Sequence, residues 1–134
     1  MNVIVACDKN NGIGIGGKLP WKCAEDMKHF KLVTVENEDN KFNVVIMGRK
    51  TWESIPLKFR PLSMRINIIV SKTMIDKDLD DNVYIVRSMN HLLRFLKANK
   101  KTMGKLFVIG GSTIYKQVME MNLVQTIYMT KIDG

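Results

Sequence analysis

The sequence predicts an α/β fold of three layers, in which a predominantly parallel sheet is flanked by helices on both faces. Two observations predict it: runs of β-branched residues alternate with helical stretches, and most of these runs are apolar throughout. Continuous apolar runs are typical of parallel strands that are buried on both faces. The predicted strands are 3–7, 43–47, 66–70, 82–86, 106–110 and 126–132, and the predicted helices are 24–35, 50–55, 89–99 and 113–121.

Two serines mark predicted helix starts. Ser88 stands before HLLRFLK and Ser112 before TIYKQVMEM, and a serine hydroxyl accepts hydrogen bonds from the free amides of a first helical turn. In the first of these helices Leu92, Leu93 and Leu96 form one apolar stripe, which we interpret as core. In parallel sheets of this kind the ligand binds beyond the carboxyl ends of the strands, so the functional residues are expected there.

Composition indicates one ordinary globular domain, 1–134. The 134 residues are 46% hydrophobic and 25% charged, with no repeat or linker, and a chain of this size buries a core without disulfides or metal. Cys7 and Cys23 lack metal-type or redox-type spacing, so no metal is predicted. With no secretory signal and no apolar run of membrane length, we expect a cytoplasmic protein without a membrane partner.

The net charge of +8 suits an anionic partner. No stretch interleaves aromatic and basic residues as a nucleic-acid stacking surface does, so nucleic acid is not the expected partner. A small ligand that bears phosphate or carboxylate groups fits the charge equally well.

The stretch GIGIGGKLPW, at 12–21, has the G-x-G-x-x-G spacing of a dinucleotide fingerprint. That fingerprint needs a helix directly after its last glycine, and Pro20 opposes a helix there. We therefore interpret 10–21 as a long loop suited to closing over a ligand.

A second glycine pair is a better candidate for binding phosphate. LFVIGGSTIY, at 106–115, reads as strand, Gly110-Gly111 and helix, so backbone amides and a helix N-terminus face one place. A tight turn without a ligand explains these residues equally well. NVVIMGRKTWESI, at 43–55, repeats the arrangement. There the planar guanidinium of Arg49 can bind a phosphate with two hydrogen bonds, and the ammonium of Lys50 can bind it as a point charge.

The motifs also occur as an ordered set that spans residues 3–133. IVA, GIG before LPW, VIMGRKTWESIP, FRPL, RINIIVS, VIGGSTIY and IYMTKID follow one another, with an acid five residues after Trp21. In this order they resemble the dihydrofolate reductase family. The resemblance implies hydride transfer from NADPH to dihydrofolate, which gives tetrahydrofolate, and inhibition by antifolates.

The resemblance places the catalytic work on Asp26, assisted by Thr130, which would bind the pterin and favour its protonated state. Independently, Asp26 shares a helix face with Met27 and Phe30, where desolvation raises the pKa of a carboxylate. A first-turn aspartate that complements the helix dipole is the alternative. The substrate-binding residues that the resemblance implies are Ile4, Val5, Asp26, Met27, Phe30, Ile55, Leu62, Arg65, Ile109 and Thr130.

Among them, Arg65 resembles the residue whose planar fork grips the glutamate α-carboxylate of folate. An exposed arginine at a strand end is the alternative. The apolar members, taken singly, would be interpreted as core.

The cofactor-binding residues that the resemblance implies are Ala6, Ile13, Gly14, Leu19, Gly48, Arg49, Lys50, Thr51, Ser71, Lys72, Ile109, Gly110, Gly111, Ser112, Thr113, Ile114 and Tyr115. In the family the paired glycines commonly share a cis peptide bond. Lys72 stands where many relatives have arginine, and a lysine supplies charge without bidentate geometry.

Family members continue after the 126–132 strand into two further strands, whereas this sequence stops at Gly134. We therefore expect a fold without those edge strands, whose 126–132 strand has one unpaired side; the oligomeric state is not predicted. Two other functions remain open: a same-fold reductase of another pterin-like or pyrimidine substrate, and a non-catalytic remnant that binds a ligand or nucleic acid.

Overall fold

The computed structural model describes residues 1–8, 31–37, 41–56, 58, 60–75, 81–123 and 126–132, of which 3–8 and 126–132 are described by their backbone. The strands are β1 (Asn2–Asp8), β2 (Phe42–Gly48), β3 (Arg65–Val70), β4 (Val83–Val86), β5 (Met103–Gly110) and β6 (Thr126–Ile132). The helices are α1 (31–35), α2 (Arg49–Ser54), α3 (Met89–Ala98) and α4 (Ser112–Glu120), with a 3-10 turn at Lys100–Thr102. All six predicted strands are confirmed, and 31–35, the described part of the predicted helix 24–35, is helical.

The six strands form one sheet in the order β4-β3-β2-β5-β1-β6. Each pairing between them is parallel, as the apolar strands predict. Among the described strands β6 pairs with β1 and β4 pairs with β3, so these two strands are the edges of the described sheet.

Strand β2 shows why the fold has three layers. Val44 and Ile46 belong to an apolar cluster with side chains of α3 and α4, and Val45 and Met47 belong to a second cluster on the opposite face, with Trp52 of α2. Each of the four β2 side chains is 0% exposed. Successive side chains of a strand point to opposite faces, so a continuous apolar run supplies both layers at once.

Helix α3 begins as the sequence predicts. The Ser88 hydroxyl accepts a hydrogen bond of 3.1 Å from the backbone N–H of His91, which confirms the predicted cap. Leu92 and Leu96 are buried in the cluster under α3 and α4, and Leu93 is partly buried. The apolar stripe of this helix therefore faces the core.

The predicted cap of α4 is wrong. The helix starts one residue earlier than predicted, so that Gly111 is the N-cap and Ser112 is the first helical residue. Gly111 has no side chain to accept from the first-turn amides, and Ser112 is exposed. None of the described helices is long and apolar enough to cross a membrane.

Candidate functional site

The candidate site lies where the order of the strands reverses. Strands β2 and β5 are neighbours, but the chain leaves β2 through α2 towards β3 and leaves β5 through α4 towards β6, on the other side. Trp52 of α2 and Ile114 of α4 pack into the clusters on opposite faces. Between the carboxyl ends of two such strands a crevice opens in which parallel α/β sheets bind ligands.

Glycines at both strand ends allow the two turns to approach closely. A Cβ atom at Gly48 would lie 3.4 Å from Cγ1 of Ile114, and one at Gly110 would lie 3.0 Å from Oγ1 of Thr51 and 3.6 Å from the hydroxyl of Tyr115. Gly110 has φ +139°, which side chains rarely adopt, and the peptide bond that follows it is cis, as the family resemblance predicts. The structure thus brings the first turns of α2 and α4 together, as the glycine motifs suggest.

The hydroxyl of Thr51 is the chemically notable group in this crevice. Thr51 is fully buried, and its Oγ1 has no hydrogen-bond partner among the residues that the structure describes. A buried hydroxyl without a partner is unfavourable, so such a group indicates a missing ligand or solvent atom. A pyrophosphate supplies acceptor oxygens for this hydroxyl and for the uncapped amides at the start of α4, so these residues fit a dinucleotide cofactor.

Basic side chains lie beside the crevice, at the same edge of the sheet. Arg49 donates from Nε to Oε1 of Glu53 at 2.7 Å and from Nη1 to Oγ1 of Thr73 at 3.1 Å, so it ties α2 to the segment after β3. Lys50 and Lys72 are exposed on these two segments. The ion pair of Arg49 with Glu53 is solvent-exposed and contributes little to stability.

Arg87, which the sequence analysis missed, fixes the neighbouring segment. It follows β4, and its Nη1 donates to the backbone carbonyls of Ser71, at 3.2 Å, and of Met74. The hydroxyl of Ser71, which is buried, accepts from the backbone N–H of Met74 at 3.0 Å. Arg87 thereby holds the turn that carries Lys72. Its position directly after a strand could have indicated a functional residue, but only the strand order shows which turn it contacts.

Three predicted substrate residues share the apolar cluster on the α2 face. Ile55, Leu62 and Ile109 are all buried there, together with Trp52 and Met47. Their packing agrees with the interpretation as core, so a contact with substrate stays a prediction.

Arg65 lies at the opposite end of β3 from the phosphate residues. Its side chain is buried, which makes the alternative of an exposed strand-end arginine wrong. Nη1 donates to Oγ1 of Thr34 at 3.0 Å and Nε donates to the carbonyl of Ser63 at 2.8 Å. Burial removes water from the guanidinium and lowers the pKa of Arg65 to about 10.

Several predicted site residues have no described side chain. Ala6 pairs with Thr130 and Val5 with Met129 in the register of β1 and β6, and Ile4 also lies in β1. By contrast, the side chains of two predicted cofactor residues, Ser112 and Thr113, are described, and both are exposed in the first turn of α4. Ile13, Gly14, Leu19, Asp26, Met27 and Phe30 lie outside the described residues. The described ranges contain no group of His, Cys, Asp or Glu suited to a metal.

A parallel three-layer α/β domain with a glycine-lined crevice at its strand reversal defines a class of nucleotide-binding domains. The family model described as dihydrofolate reductase matches residues 1–134. The chain belongs to the dihydrofolate reductase family.

Relatives and a solved structure resemble the whole chain. The dihydrofolate reductases of Schistosoma mansoni and Candida albicans are 42% and 39% identical to it, and each comparison covers 98% of this chain. A solved structure of the Schistosoma mansoni enzyme matches with a TM-score of 0.86 at 41% identity, over 99% of this chain and 73% of that one.

The relatives are longer than this chain. It spans 72% of the Schistosoma relative and 67% of the Candida relative. A bifunctional dihydrofolate reductase-thymidylate synthase of Glycine max is 41% identical over 98% of this chain, which spans 26% of that protein.

Proposed function

We propose that this protein catalyses the NADPH-dependent reduction of 7,8-dihydrofolate to 5,6,7,8-tetrahydrofolate, in support of one-carbon metabolism. The observation that carries the proposal is the buried hydroxyl of Thr51, which faces the Gly110 turn at the strand reversal without a partner among the described residues. Family membership identifies the chemistry for which such a crevice is used.

The cofactor end of the site is the carboxyl edge of the sheet. Thr51 and the amides at the start of α4 would hold the pyrophosphate, and Lys72, with Arg49 beside it, would meet the 2′-phosphate that distinguishes NADPH from NADH. Arg87 supports this by holding the Ser71–Met74 turn. NADPH supplies the hydride when it is bound.

The substrate end uses Arg65. A guanidinium whose pKa is lowered by burial gains when an anionic group approaches it, and two parallel N–H groups suit a carboxylate. Its distance from the cofactor residues agrees with an elongated substrate: Arg65 and Val70 are five positions apart in β3, or about 17 Å along an extended strand. The glutamate tail of dihydrofolate would lie at this end.

The proton for the pterin is proposed to depend on Asp26 and Thr130. Asp26 would bind the amino and ring N–H groups of the pterin and favour the protonated substrate, and Thr130 would assist it. The 10–21 loop would exclude water from the reacting atoms. These roles are carried over from the family resemblance.

The test follows the oxidation of NADPH with and without dihydrofolate, for the wild type and for Asp26→Asn. We expect turnover that depends on dihydrofolate and that an antifolate such as methotrexate blocks. In Asp26→Asn the rate falls sharply near neutral pH and recovers in part at lower pH, because the substrate then takes its proton from solution. A mutant as fast as the wild type near neutral pH would remove Asp26 from the mechanism.

Two narrower predictions stay with the proposal. A cytoplasmic location is inferred from Cys7 and Cys23, which lack metal-type and redox-type spacing and, as free thiols, would suit a reducing compartment. Fluorescent tagging of the natural protein tests it. Nucleic acid is not expected as a partner. In a filter-binding assay we therefore expect no binding of nucleic acid of the kind that weakens steeply as the salt concentration rises.

A further inference from the structure

A buried polar network joins three distant segments of the chain around the side chain of Asn43. Asn43 is the second residue of β2 and is 0% exposed. Its Nδ2 donates to the backbone carbonyls of Thr34, at 3.0 Å, and of Glu36, at 2.8 Å. Its Oδ1 accepts from the backbone N–H of Lys105, at 2.8 Å, and from Nδ2 of Asn37, at 2.7 Å. Both donors and both acceptor sites of the amide are therefore in use.

The donors of Asn43 do what a helix C-cap usually does. The last carbonyls of a helix have no partner within it, and Thr34 and Glu36 lie in and just after α1. An amide on β2 that binds both carbonyls anchors the end of α1 to the middle of the sheet. Asn43 thus fixes where Thr34 stands relative to the strands.

Thr34 connects this anchor to the substrate end of the site. Its carbonyl is held by Asn43, and its Oγ1 accepts the hydrogen bond from Nη1 of Arg65. Thr34, Asn43 and Arg65 are all buried, so water does not easily replace these bonds. The direction in which the guanidinium fork points therefore depends on the position of the end of α1.

Gly104 shows that the network is tightly packed. A Cβ atom at this position would lie 2.1 Å from Nδ2 of Asn37 and 2.4 Å from Oδ1 of Asn43, so any side chain there displaces the two amides. The fold thus reserves this space on β5 for the asparagine pair.

We propose that Asn43 is a positioning residue for recognition of the substrate tail: it holds the end of α1 so that Thr34 sets the orientation of Arg65. The inference rests on the proposed function, in which Arg65 binds the glutamate carboxylate. Asn43 does not touch the substrate, so its removal affects ligands that have the tail and spares those that lack it.

The experiment compares KM for dihydrofolate with KM for 6-methyl-7,8-dihydropterin, which has no glutamate tail, in the full chain. For Asn43→Ala we expect KM for dihydrofolate to rise about tenfold, the size of one lost hydrogen bond to a charged group, with kcat nearly unchanged. KM for the tail-free substrate and for NADPH should stay as in the wild type. An equal rise of KM for both pterin substrates would show a general structural role and overturn the proposal.

Asn37→Ala is the matched control. It removes one bond to Oδ1 of Asn43 but leaves both bonds from Asn43 to the end of α1. We expect this variant to keep the KM of the wild type for dihydrofolate. A rise as large as that of Asn43→Ala would place the effect in the amide pair rather than in the anchoring of α1, against the proposal.

Three further variants cover the case in which Asn43→Ala does not fold. Thr34→Val removes the acceptor for Arg65 and should raise KM for dihydrofolate alone, whereas Thr34→Ser keeps the hydroxyl and should not. Gly104→Ala displaces the asparagine pair from the other side and should act as Thr34→Val does. If Gly104→Ala folds and leaves KM for dihydrofolate unchanged, the network does not control Arg65.

Where the variants fold, a double-mutant cycle tests the route through Thr34. Asn43→Ala combined with Thr34→Val should raise KM by less than the product of the two single effects, because both act on one contact. Multiplying effects would contradict the proposed route. A wild type that does not oxidise NADPH with dihydrofolate would instead reject the proposed function itself, and this inference with it.

Discussion

Thr51 shows how one side chain can indicate a ligand. Its hydroxyl is buried beside Gly110, in the crevice between the carboxyl ends of β2 and β5, and it has no partner within the described part of the chain. Threonine and valine have nearly the same shape, so the apolar layer would pack as well without the oxygen. The unsatisfied hydroxyl agrees with the proposed role of Thr51 in binding the cofactor.

We predict that Thr51→Val separates the two roles. The free energy of unfolding of the ligand-free protein should stay the same or rise by about 1 kcal/mol, because an unsatisfied buried polar group is removed. The Kd for NADPH should rise about tenfold, because a hydrogen bond to a charged phosphate is lost. Urea denaturation and a fluorescence titration measure the two quantities.

Thr51→Ser is the control for this prediction, because it keeps the hydroxyl and loses a methyl group. It should bind NADPH nearly as the wild type does while it unfolds at lower urea concentration. If Thr51→Val bound NADPH with unchanged affinity, the hydroxyl would not be a cofactor ligand.

Arg65 illustrates a residue whose burial opposes stability. Burial lowers the pKa of its guanidinium to about 10 in the folded protein. Above pH 10 and below the ordinary pKa of arginine, the unfolded chain binds more protons than the folded one, so the stability contributed by this group rises with pH in that range. At neutral pH the full cost of burying the charge is present.

We predict that the stability of the wild type rises relative to that of Arg65→Met as the pH passes 10. The difference in unfolding free energy should approach a slope of about 1.4 kcal/mol per pH unit, the limit for one proton. Urea denaturation of both proteins at several pH values up to 11 measures it, and the other titrating groups cancel in the comparison. A difference that does not change with pH would mean that burial leaves the pKa of Arg65 unaltered.

At the scale of elements, the two helix starts offer an internal comparison. Ser88 caps α3 through the N–H of His91, whereas α4 begins after Gly111 and has no side-chain cap. A serine stands near the start of both helices, and the backbone around the glycine pair decides that Ser112 enters the helix.

We predict that Ser88→Ala lowers the free energy of unfolding by about 1 kcal/mol, the usual cost of losing an N-cap. Ser112→Ala should change it by less than about 0.5 kcal/mol, because Ser112 is an exposed first-turn residue without a capping bond. Urea denaturation of the two variants gives the answer. Equal losses would mean that Ser112 caps α4 after all.

The same comparison shows which elements can be predicted from sequence. The strands were predictable because a strand buried on both faces must be apolar at every position, as in 43–47, and that pattern is local. The glycine turns were predictable because few other residues allow the close approach and the φ value of Gly110.

Contacts between distant segments were not predictable. Asn43 binds residues near 35 and 105, and Arg87 binds a turn that precedes it by more than ten residues, so neither partner is visible in a local pattern. The burial of Arg65 depends likewise on Thr34, thirty-one positions away. From sequence alone, polar residues on strands are interpreted as exposed, and only the order of the strands shows which of them are buried.

At the scale of the whole molecule, the two charged ends of the proposed site lie at opposite ends of the strands of one sheet. The phosphate residues follow the carboxyl ends of β2, β3 and β5, whereas Arg65 begins β3 at its amino end. In a parallel sheet the amino ends and the carboxyl ends of the strands are separated by the full strand length. The cofactor and the substrate tail should therefore stabilise different parts of the backbone.

Hydrogen exchange with mass spectrometry tests this separation. We predict that NADPH alone slows exchange at Gly110–Tyr115, because the amides that begin α4 have no partner within the helix. Folate alone should slow exchange at Ser63–Asn67, around Arg65, and leave Gly110–Tyr115 much less affected. The end of α3, Leu96–Ala98, serves as the reference, since neither ligand is expected to reach it. If folate protected the α4 turn and not the start of β3, the substrate tail would not lie at Arg65. The assignment of cofactor and substrate tail to the two ends of the strands would then have to be reversed.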